Sequence, residues 1–342
     1  MTKIVTVGLE LAKSIFQVHC ADEAGTPLLR KRLRRGQVIE FFAGIEPCLV
    51  GMEACSSAHY WARELQALGH EVKLVPPQYV KPFVKSQKND AADAEAIAEA
   101  VQRPTMRFAA IKSAEQQSLL VLHRTRELLV RQKTMLINAI RGHCGEFGLV
   151  VGAGAAKVSE LIIVIKDSED TRLPALARKA LNFLAEQLKE KQTQIKALER
   201  KLNEWHTDNE DSKRLETIPG VGVITATALV ATIGDVTQFR SARQLAAWLG
   251  LVPKQYSSGG KEKLGRISKR GDGYLRKLLV HGARASLGWS RRKQDGLSQW
   301  QKALLERRPT NVVLVAMANK MARTVWALLS KSQTYRYNSV EV

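Results

Sequence analysis

The first hundred residues contain a fixed order of strand-like and helix-like segments, and this order constrains the fold more than any other feature. Apolar runs and apolar–polar alternation predict three strands, a helix, a strand, a helix, a strand and a helix, at residues 4–9, 14–20, 27–34, 36–42, 48–52, 58–68, 71–75 and from 90 onward. Consecutive strands form an antiparallel meander, whereas strands separated by a helix are joined in parallel. The order therefore predicts an α/β domain built on one mixed sheet, the arrangement of the RNase H fold.

Four acidic residues lie at the ends of these elements. Glu10 ends the first strand, Glu53 ends the fourth, and Asp90 and Asp93 open the last helix on one of its faces. Taken alone, the two aspartates are explained by the helix dipole, which favours negative charge in a first turn. In the predicted topology, however, all three places converge beyond the strand ends. Converging carboxylates repel one another unless cations are bound, so the four predict an Mg²⁺ site suited to phosphodiester chemistry.

The charge of the chain indicates its partner. The net charge is +20 and the pI is about 10.0, which predicts binding to a polyanion, either nucleic acid or an anionic membrane. No apolar run approaches the length of a membrane span, and the N-terminus enters a strand, so nucleic acid is favoured and no membrane association is expected. The four cysteines lack C-x-x-C spacing, which argues against structural zinc and disulfides and fits a reducing cytoplasm.

Residues 111–210 form a region of long helices, distinct from the domains predicted at 1–110 and 211–342. Leucines recur every seven residues at 122, 129 and 136. A second helix has apolar residues at the a and d positions of a coiled coil, namely Leu181, Leu184, Leu188, Ile195, Leu198, Leu202 and Trp205. An intramolecular helical hairpin and a dimer interface both explain this pattern. The region is therefore interpreted as a coiled-coil spacer or oligomerisation region.

The C-terminal third contains a tight turn that feeds a helix of small residues. Gly220 and Gly222, in the sequence Pro-Gly-Val-Gly, have no side chains, so backbone N–H groups at the helix start are able to approach a phosphate. This pattern is typical of a helix-hairpin-helix, which binds the nucleic-acid backbone without reading sequence. An ordinary glycine turn between packed helices is the simpler alternative, and the positive charge of the chain favours the phosphate-binding interpretation.

A basic, glycine-rich segment follows. Between residues 254 and 284 there are nine Lys or Arg and two acidic residues, a net charge of +7. We interpret it as a flexible loop that grips phosphates through Lys261, Lys263, Arg266, Lys269 and Arg270. Ser257 and Ser258 also lie in this loop. A serine beside glycines is usually a turn residue, so the loop chemistry alone does not select a nucleophile.

Three motifs, V-G-L-E-L-A-K-S-I-F-Q-V-H, G-M-E-A-C and K-N-D-A-A-D-A-E-A-I, resemble the DEDD transposases of insertion-sequence family one-ten, specifically the eleven-eleven subgroup. Piv-type DNA invertases are relatives of that family. The resemblance covers nearly the whole chain and is clearest at 4–100 and 215–330. It implies a RuvC-like first domain, coiled-coil helices and a helical C-terminal transposase domain. It also implies an acidic tetrad at Glu10, Glu53, Asp90 and Asp93.

The resemblance further implies a chemistry. Family members carry a nucleophilic serine immediately before a glycine, which falls on Ser258, with Ser257 as the register alternative. The serine attacks DNA and forms a 5′-phosphoserine link, and Mg²⁺ on the tetrad completes a composite site. A structured guide RNA selects the donor and target DNA. The implied assembly is a homodimer or homotetramer in the bacterial cytoplasm.

One position departs from the family pattern, because the family has Asp where this chain has Glu10. The extra methylene moves the carboxylate, and Mg²⁺ demands near-ideal octahedral geometry, so reduced activity is one expectation. Two alternatives therefore stay open. The first is a junction-resolving metal nuclease that uses water as the nucleophile. The second is a nucleic-acid-binding protein that Glu10 has weakened as a catalyst.

Overall fold

The computed structural model describes residues 3–85, 89–293 and 296–336. The chain divides into two compact units, Met1–Gln117 and Ser118–Val342. The first unit contains five strands, at Thr6–Glu10 (β1), Ile15–Ala21 (β2), Pro27–Arg34 (β3), Leu49–Glu53 (β4) and Glu71–Val75 (β5). Its helices are Val38–Ala43 (α1), Ala58–Ala67 (α2), Pro77–Val80 (α3) and Asp90–Val101 (α4). The predicted order of strands and helices is confirmed, whereas the short helix α3 and the 3-10 helix that follows it at Lys81–Phe83 were not predicted.

The five strands form one mixed sheet in the spatial order β3-β2-β1-β4-β5. The first three strands pair antiparallel, as a meander does, whereas β1 pairs parallel with β4 and β4 pairs parallel with β5. This pairing follows from the connections, because the first strands are joined by short turns and the later ones by helices. The carboxyl ends of β1, β4 and β5 consequently lie at one edge of the sheet.

Helices cover both faces of this sheet. Alternate residues of β1 and β4, including Leu9 and Met52, pack with Trp61 of α2 in the main core of the unit. The opposite face is covered by α4, which approaches the strands through glycines. An ideal Cβ on Gly8 would lie 2.0 Å from the carbonyl oxygen of Ala94, so no larger residue fits beneath this helix. The close approach fixes the position of α4 on the sheet.

The second unit is mainly helical, and helix α5 (Ala114–Gly145) leads into it along the chain. The helices that follow are Val158–Lys166 (α6), Ala175–Thr207 (α7), Glu210–Glu216 (α8), Val223–Ile233 (α9), Ala242–Trp248 (α10), Gly273–Arg292 (α11), Gln299–Arg307 (α12) and Thr310–Lys331 (α13). Two short strands, Pro253–Gln255 (β6) and Leu264–Ile267 (β7), pair antiparallel as a hairpin. A helical domain with a flexible glycine-rich loop was predicted here, and the structure places a short β-hairpin within that loop. The Gly-Gly pair between the strands favours a two-residue hairpin turn.

The long helices predicted in the middle of the chain are present. In α7, the residues at 181, 188, 195 and 202 are all buried within the second unit. Leu181 and Leu188 share a core cluster with Ile140 of α5 and Ile165 of α6. This series therefore packs within the chain, as the intramolecular alternative predicted. A different seven-residue series on α5, at Val121, Leu128 and Met135, is exposed.

Helix α13 is a core helix. Among the residues that the structure describes, it is the one helix whose length and apolar composition would suffice to cross a membrane. The expectation that no apolar segment approaches that length was therefore wrong for Thr310–Lys331. Its apolar character has a different cause, since Val313, Ala318 and Val325 belong to the main core cluster of the second unit with Leu245 of α10.

Candidate functional site

Two of the four predicted acidic residues lie at the ends of neighbouring strands. The parallel pairing of β1 with β4 ends with Leu9 opposite Met52, and Glu10 and Glu53 are the next residues on each strand. Adjacent strands are about 4.8 Å apart. Because side chains alternate along a strand, Glu10 lies on the same face as Gly8, the face covered by α4. The same alternation places Glu53 on that face.

Both carboxylates affect the ionisation of a neighbouring thiol. Burial, followed by the negative charges of Glu10 and Glu53, raises the pKa of the Cys55 thiol to about 11. A carboxylate affects a thiol in this way only at short range, because its charge disfavours the thiolate. Glu10 and Glu53 directly follow the paired residues Leu9 and Met52, at one edge of the sheet.

The other two acidic residues lie in the first turn of α4, as predicted. The side chain of Asn89 caps this helix by accepting a hydrogen bond from the backbone N–H of Ala92, at 2.9 Å. The helix start therefore does not require either aspartate as its cap. Asp93 directly precedes Ala94, whose carbonyl oxygen contacts Gly8 on β1. Asp90 is exposed, almost a full turn before that contact.

The four carboxylates do not form a ready-made metal cage. Within residues 3–85, 89–293 and 296–336, no three His, Cys, Asp or Glu side chains are arranged to hold a metal ion. Mg²⁺, however, is commonly held by one or two carboxylates together with substrate phosphates and water. The adjacent oxygen donors of Glu10 and Glu53 fit that mode of binding.

The two candidate serines lie at the tip of the β6–β7 hairpin in the second unit, which we call the serine hairpin. The backbone N–H of Lys261 donates to the carbonyl oxygen of Ser258 at 3.1 Å. Gly259 and Gly260 between them both have positive φ, 55° and 75°. Positive φ at both central residues is the requirement of a type I′ turn, which closes two-residue hairpins tightly. Ser258 therefore occupies a defined place at the first position of this turn.

The two serine hydroxyls have different environments. The Oγ of Ser257 accepts hydrogen bonds from the backbone N–H of Lys263 at 3.3 Å and from Nε2 of Gln255 at 3.0 Å. In the part of the chain that the structure describes, the Oγ of Ser258 forms no hydrogen bond, and the residue is exposed. Ser257 thus helps to hold the hairpin together, whereas Ser258 presents its hydroxyl to solvent.

The base of the hairpin is held by close backbone contacts. Gly250 precedes the hairpin, and an ideal Cβ there would lie 2.1 Å from the carbonyl oxygen of Arg270. Gly271 follows the hairpin, and a Cβ there would lie 1.9 Å from the carbonyl oxygen of Trp248. The five predicted phosphate-binding residues of this segment, Lys261, Lys263, Arg266, Lys269 and Arg270, are all exposed.

Arg276 of α11 fastens the same base. Its Nη1 donates to the carbonyl oxygens of Leu249, Arg270 and Gly271, at 3.0, 2.8 and 3.1 Å. These carbonyls lie on both sides of the hairpin, so one guanidinium joins its incoming and outgoing chains. In the sequence, Arg276 is one of nine basic residues between 254 and 284. Nothing local in the sequence distinguishes it, because its partners are backbone atoms.

The helix α11 is itself fixed to α5 by polar contacts. His123 is fully buried and bonds Tyr274 through Nδ1 at 3.2 Å and Thr227 through Nε2 at 3.1 Å. Burial, with the nearby arginines, lowers the pKa of His123 to about 4, so the imidazole is neutral near pH 7. Arg124 also pairs with Asp272, which caps α11. The contacts of His123 with Tyr274 and of Arg124 with Asp272 stabilise the start of α11, which follows the serine hairpin.

The glycines of the predicted phosphate-binding turn have different surroundings. This turn joins α8 to α9. Gly220 has φ of +90°, and an ideal Cβ there would lie 2.3 Å from the carbonyl oxygen of Gly282 on α11. Gly220 therefore allows the turn to pack against α11. Gly222 is exposed, has no atoms within 4 Å of an added Cβ and precedes the first residue of α9. Of the two glycines, Gly222 is the one with the open space that a phosphate requires.

Known proteins resemble this chain along nearly its whole length. A family model described as Transposase IS116/IS110/IS902 family matches residues 212–298, and a model for DEDD transposases of IS110 type matches residues 7–147. The chain is 50% identical over 331 residues to a Pseudomonas aeruginosa protein named probable family 20 transposase, covering 96% of this chain and 98% of that protein.

Two further relatives are transposases for named insertion sequences. The chain is 44% identical over 336 residues to the transposase for insertion sequence element IS1111A of Coxiella burnetii, which covers 98% of this chain and 92% of that protein. It is 41% identical over 335 residues to the transposase for IS1328 of Yersinia enterocolitica, with 98% and 99% coverage.

Proposed function

Because this chain belongs to the IS110/IS116/IS902 family of DEDD transposases, enzymes that cut and rejoin DNA, we propose that it moves its own insertion element by serine-dependent strand transfer. The observation that carries this proposal is the position of Ser258 at the tip of a tight, cationic hairpin, where the residue is exposed and, among the residues that the structure describes, its hydroxyl has no hydrogen-bond partner. The proposal includes a subgroup assignment, to the eleven-eleven branch of the family.

The proposed reaction begins with attack of the Ser258 oxygen on a DNA phosphorus. A serine O–P bond forms and the bond from phosphorus to the 3′-oxygen breaks, while the proton lost by the serine hydroxyl passes through solvent to the leaving 3′-oxygen. The products are a 5′-phosphoserine and a free 3′-hydroxyl. A new 3′-hydroxyl then attacks the same phosphorus, which rejoins DNA and releases the serine. Lys261 and Lys263 are exposed beside the turn and would stabilise the negative charge that develops on the phosphoryl oxygens.

The first unit would contribute a divalent metal site. Glu10 and Glu53 would hold Mg²⁺, with Asp93 and Asp90 on the adjacent helix as further oxygen donors. When bound, Mg²⁺ would supply Lewis-acid stabilisation of charged phosphate oxygens. The sheet order β3-β2-β1-β4-β5 supports an RNase H-like, RuvC-like domain for residues 1–110. Residues 111–210 would act as spacer and 211–342 as the transposase domain.

The partners of the proposed enzyme are DNA and a structured guide RNA that pairs with the donor and target. The net charge of +20 supports the simultaneous binding of several nucleic-acid strands. The turn at Gly222 would bind a phosphate in the manner of a helix-hairpin-helix. We propose a homodimer or homotetramer in the bacterial cytoplasm, supported by the exposed heptad stripe of Val121, Leu128 and Met135 on α5.

The direct test of this function is the recovery of the covalent intermediate. The protein is incubated with Mg²⁺, its copurifying RNA and DNA that carries the element ends, and the reaction is stopped with denaturant. We expect a protease fragment that contains Ser258 and carries a 5′-linked nucleotide, detected by mass spectrometry. Cleaved DNA without any protein adduct would instead support the junction-resolving nuclease, which uses water.

Shortening Glu10 is expected to increase activity. The Glu10→Asp variant restores the carboxylate length of the family pattern, and Mg²⁺ tolerates little error in ligand position. We expect a cleavage rate about tenfold higher in Glu10→Asp and a loss of cleavage in Glu10→Gln. The measurement is single-turnover cleavage over a range of Mg²⁺ concentrations.

The matched control is Glu40→Asp, the same shortening at an exposed residue of α1, which should change nothing. Equal absence of cleavage in the original chain and in Glu10→Asp, with DNA binding retained in both, would contradict the prediction. That result would support the alternative of a nucleic-acid-binding protein.

Removing the guanidinium at the base of the hairpin is expected to slow cleavage without weakening DNA binding. The Arg276→Ala variant loses three backbone hydrogen bonds that join both ends of the hairpin, so the Ser258 hydroxyl is held less accurately. A displacement of about 1 Å costs up to about a hundredfold in rate, and we expect a 10- to 100-fold decrease. Single-turnover rates and DNA dissociation constants measure the two effects separately.

Arg284→Ala provides the control for charge, because Arg284 is an exposed arginine on the same helix. We expect its cleavage rate to stay within about threefold of the original. A similar loss of rate in both variants would show that Arg276 acts through its charge and not through the hairpin.

A further inference from the structure

Tyr256 is an exposed aromatic residue in the serine hairpin, two residues before Ser258. Its side chain is 61% exposed. Its backbone N–H donates to the carbonyl oxygen of Lys263 at 2.9 Å, which fixes the residue in the antiparallel pair. An ideal Cβ on Gly265 would lie 3.2 Å from Cε2 and 3.7 Å from Cδ2 of the tyrosine. The ring therefore lies close to Gly265, where an added methyl group would be in tight contact with it.

The register of the hairpin places Tyr256 and Ser258 on one face. Gln255 pairs with Leu264, and Ser258 pairs with Lys261. Since paired residues share a face and neighbours along a strand alternate, Tyr256 and Ser258 lie on the face of Lys261 and Lys263. Gln255 and Ser257 lie on the opposite face, consistent with the hydrogen bond between their side chains.

This face combines the groups that bind a nucleotide. Two residues along a strand span about 7 Å, so the ring of Tyr256 lies within reach of the base next to a phosphate at Ser258. The lysines of the same face attract the phosphate backbone, whereas the exposed ring offers a surface on which any base is able to stack. Two ring atoms, Cδ2 and Cε2, lie against Gly265, and the side chain is 61% exposed and so accessible to a ligand.

We propose that Tyr256 is a stacking platform for the base that adjoins the scissile phosphate in the DNA strand attacked by Ser258. This inference rests on the proposed function, because Ser258 defines where the phosphate lies. A stacked base has left its partner strand, so the DNA is locally unpaired at the cleavage position. Tyr256 thus holds the strand in place, and the lysines supply the electrostatic part of the affinity.

The test measures the binding of the full-length protein to a short single-stranded DNA that contains 2-aminopurine, over a range of salt concentrations. Tyr256→Ala is expected to lower the affinity about 5- to 100-fold and to abolish the quenching of 2-aminopurine fluorescence. The slope of log affinity against log salt should not change, because no charge is lost. Lys263→Ala should instead reduce that slope by about 0.7.

Two variants serve as controls. Tyr256→Phe keeps the ring and should bind as the original protein does. Leu264→Ala removes a side chain that is 64% exposed on the opposite face, and it should have no effect. Unchanged binding by Tyr256→Ala, or an equal loss in Leu264→Ala, would overturn the proposal. A loss confined to RNA of the same sequence would also overturn it, because the platform would then serve the guide.

The covalent adduct separates this inference from the proposed function. If the adduct at Ser258 forms and Tyr256→Ala binds normally, only the stacking platform is refuted. If no adduct forms while Tyr256→Ala loses affinity and quenching, the platform stands as a DNA-binding feature and the phosphoserine reaction is refuted.

Discussion

Replacement of Ser258 with alanine is expected to abolish both DNA cleavage and the covalent protein–DNA adduct. The Ser258→Ala variant removes the only atom that forms the proposed bond to phosphorus, and no rearrangement of the hairpin replaces it. Removal of a nucleophile that acts in this way costs at least about a thousandfold in rate. Cleavage is measured by denaturing electrophoresis of end-labelled DNA, and the adduct by its altered migration before protease treatment.

Ser257→Ala is the matched control one residue away. The Oγ of Ser257 accepts hydrogen bonds from Lys263 and Gln255, so its loss loosens the hairpin without removing the proposed nucleophile. We expect a decrease of about tenfold or less in Ser257→Ala. The opposite result, with Ser257→Ala inactive and Ser258→Ala active, would assign the nucleophile to Ser257. Continued cleavage in both single variants would indicate attack by water.

Replacement of Gly8 with alanine is expected to destabilise the first unit severely. In Gly8→Ala the new Cβ would lie 2.0 Å from the carbonyl oxygen of Ala94 and 2.6 Å from the backbone nitrogen of Ala98. Both atoms belong to the backbone of α4, so the clash is not relieved by the movement of a flexible side chain. The helix must lift from the sheet, at a cost of about 3 kcal/mol or more. Urea unfolding of the full chain measures the loss.

The same change is expected to lower DNA cleavage where the variant is still folded, because α4 carries Asp90 and Asp93. Gly36→Ala is the control within this unit, since an added Cβ at Gly36 has no neighbouring atom within 4 Å. We expect it to alter stability by less than about 0.5 kcal/mol. Equal stability of the two variants would refute the claim that α4 packs directly on the backbone of β1.

Part of the candidate site was predictable because its residues mark the ends of regular elements. Glu10 and Glu53 each follow a short apolar run that is typical of a buried strand, and the alternation of strands with helices makes these strands parallel neighbours. Asp90 and Asp93 begin a run of strong helix formers, so their place in a first turn was also evident. Local preference and tertiary structure agree in this part of the chain.

The serine hairpin shows the opposite case. Its high content of glycine and lysine suggested a flexible loop, whereas Gly259 and Gly260 form a tight turn between β6 and β7. The turn was recognisable in principle, because Gly-Gly between alternating residues favours a two-residue hairpin. The different environments of Ser257 and Ser258 were not recognisable, since they depend on hydrogen bonds to Gln255 and Lys263.

The order of elements and the positions of the acidic residues depend on neighbours along the chain, and the positive charge depends on composition, so all three are readable from the sequence. Which groups meet depends instead on how the chain folds. Three contacts illustrate this: Gly8 with α4, Arg276 with three backbone carbonyls, and the ring of Tyr256 with Gly265. Each contact joins residues that are separated along the chain or lie on different sides of the hairpin. Such contacts follow from packing and backbone geometry, which no local pattern of residue types encodes.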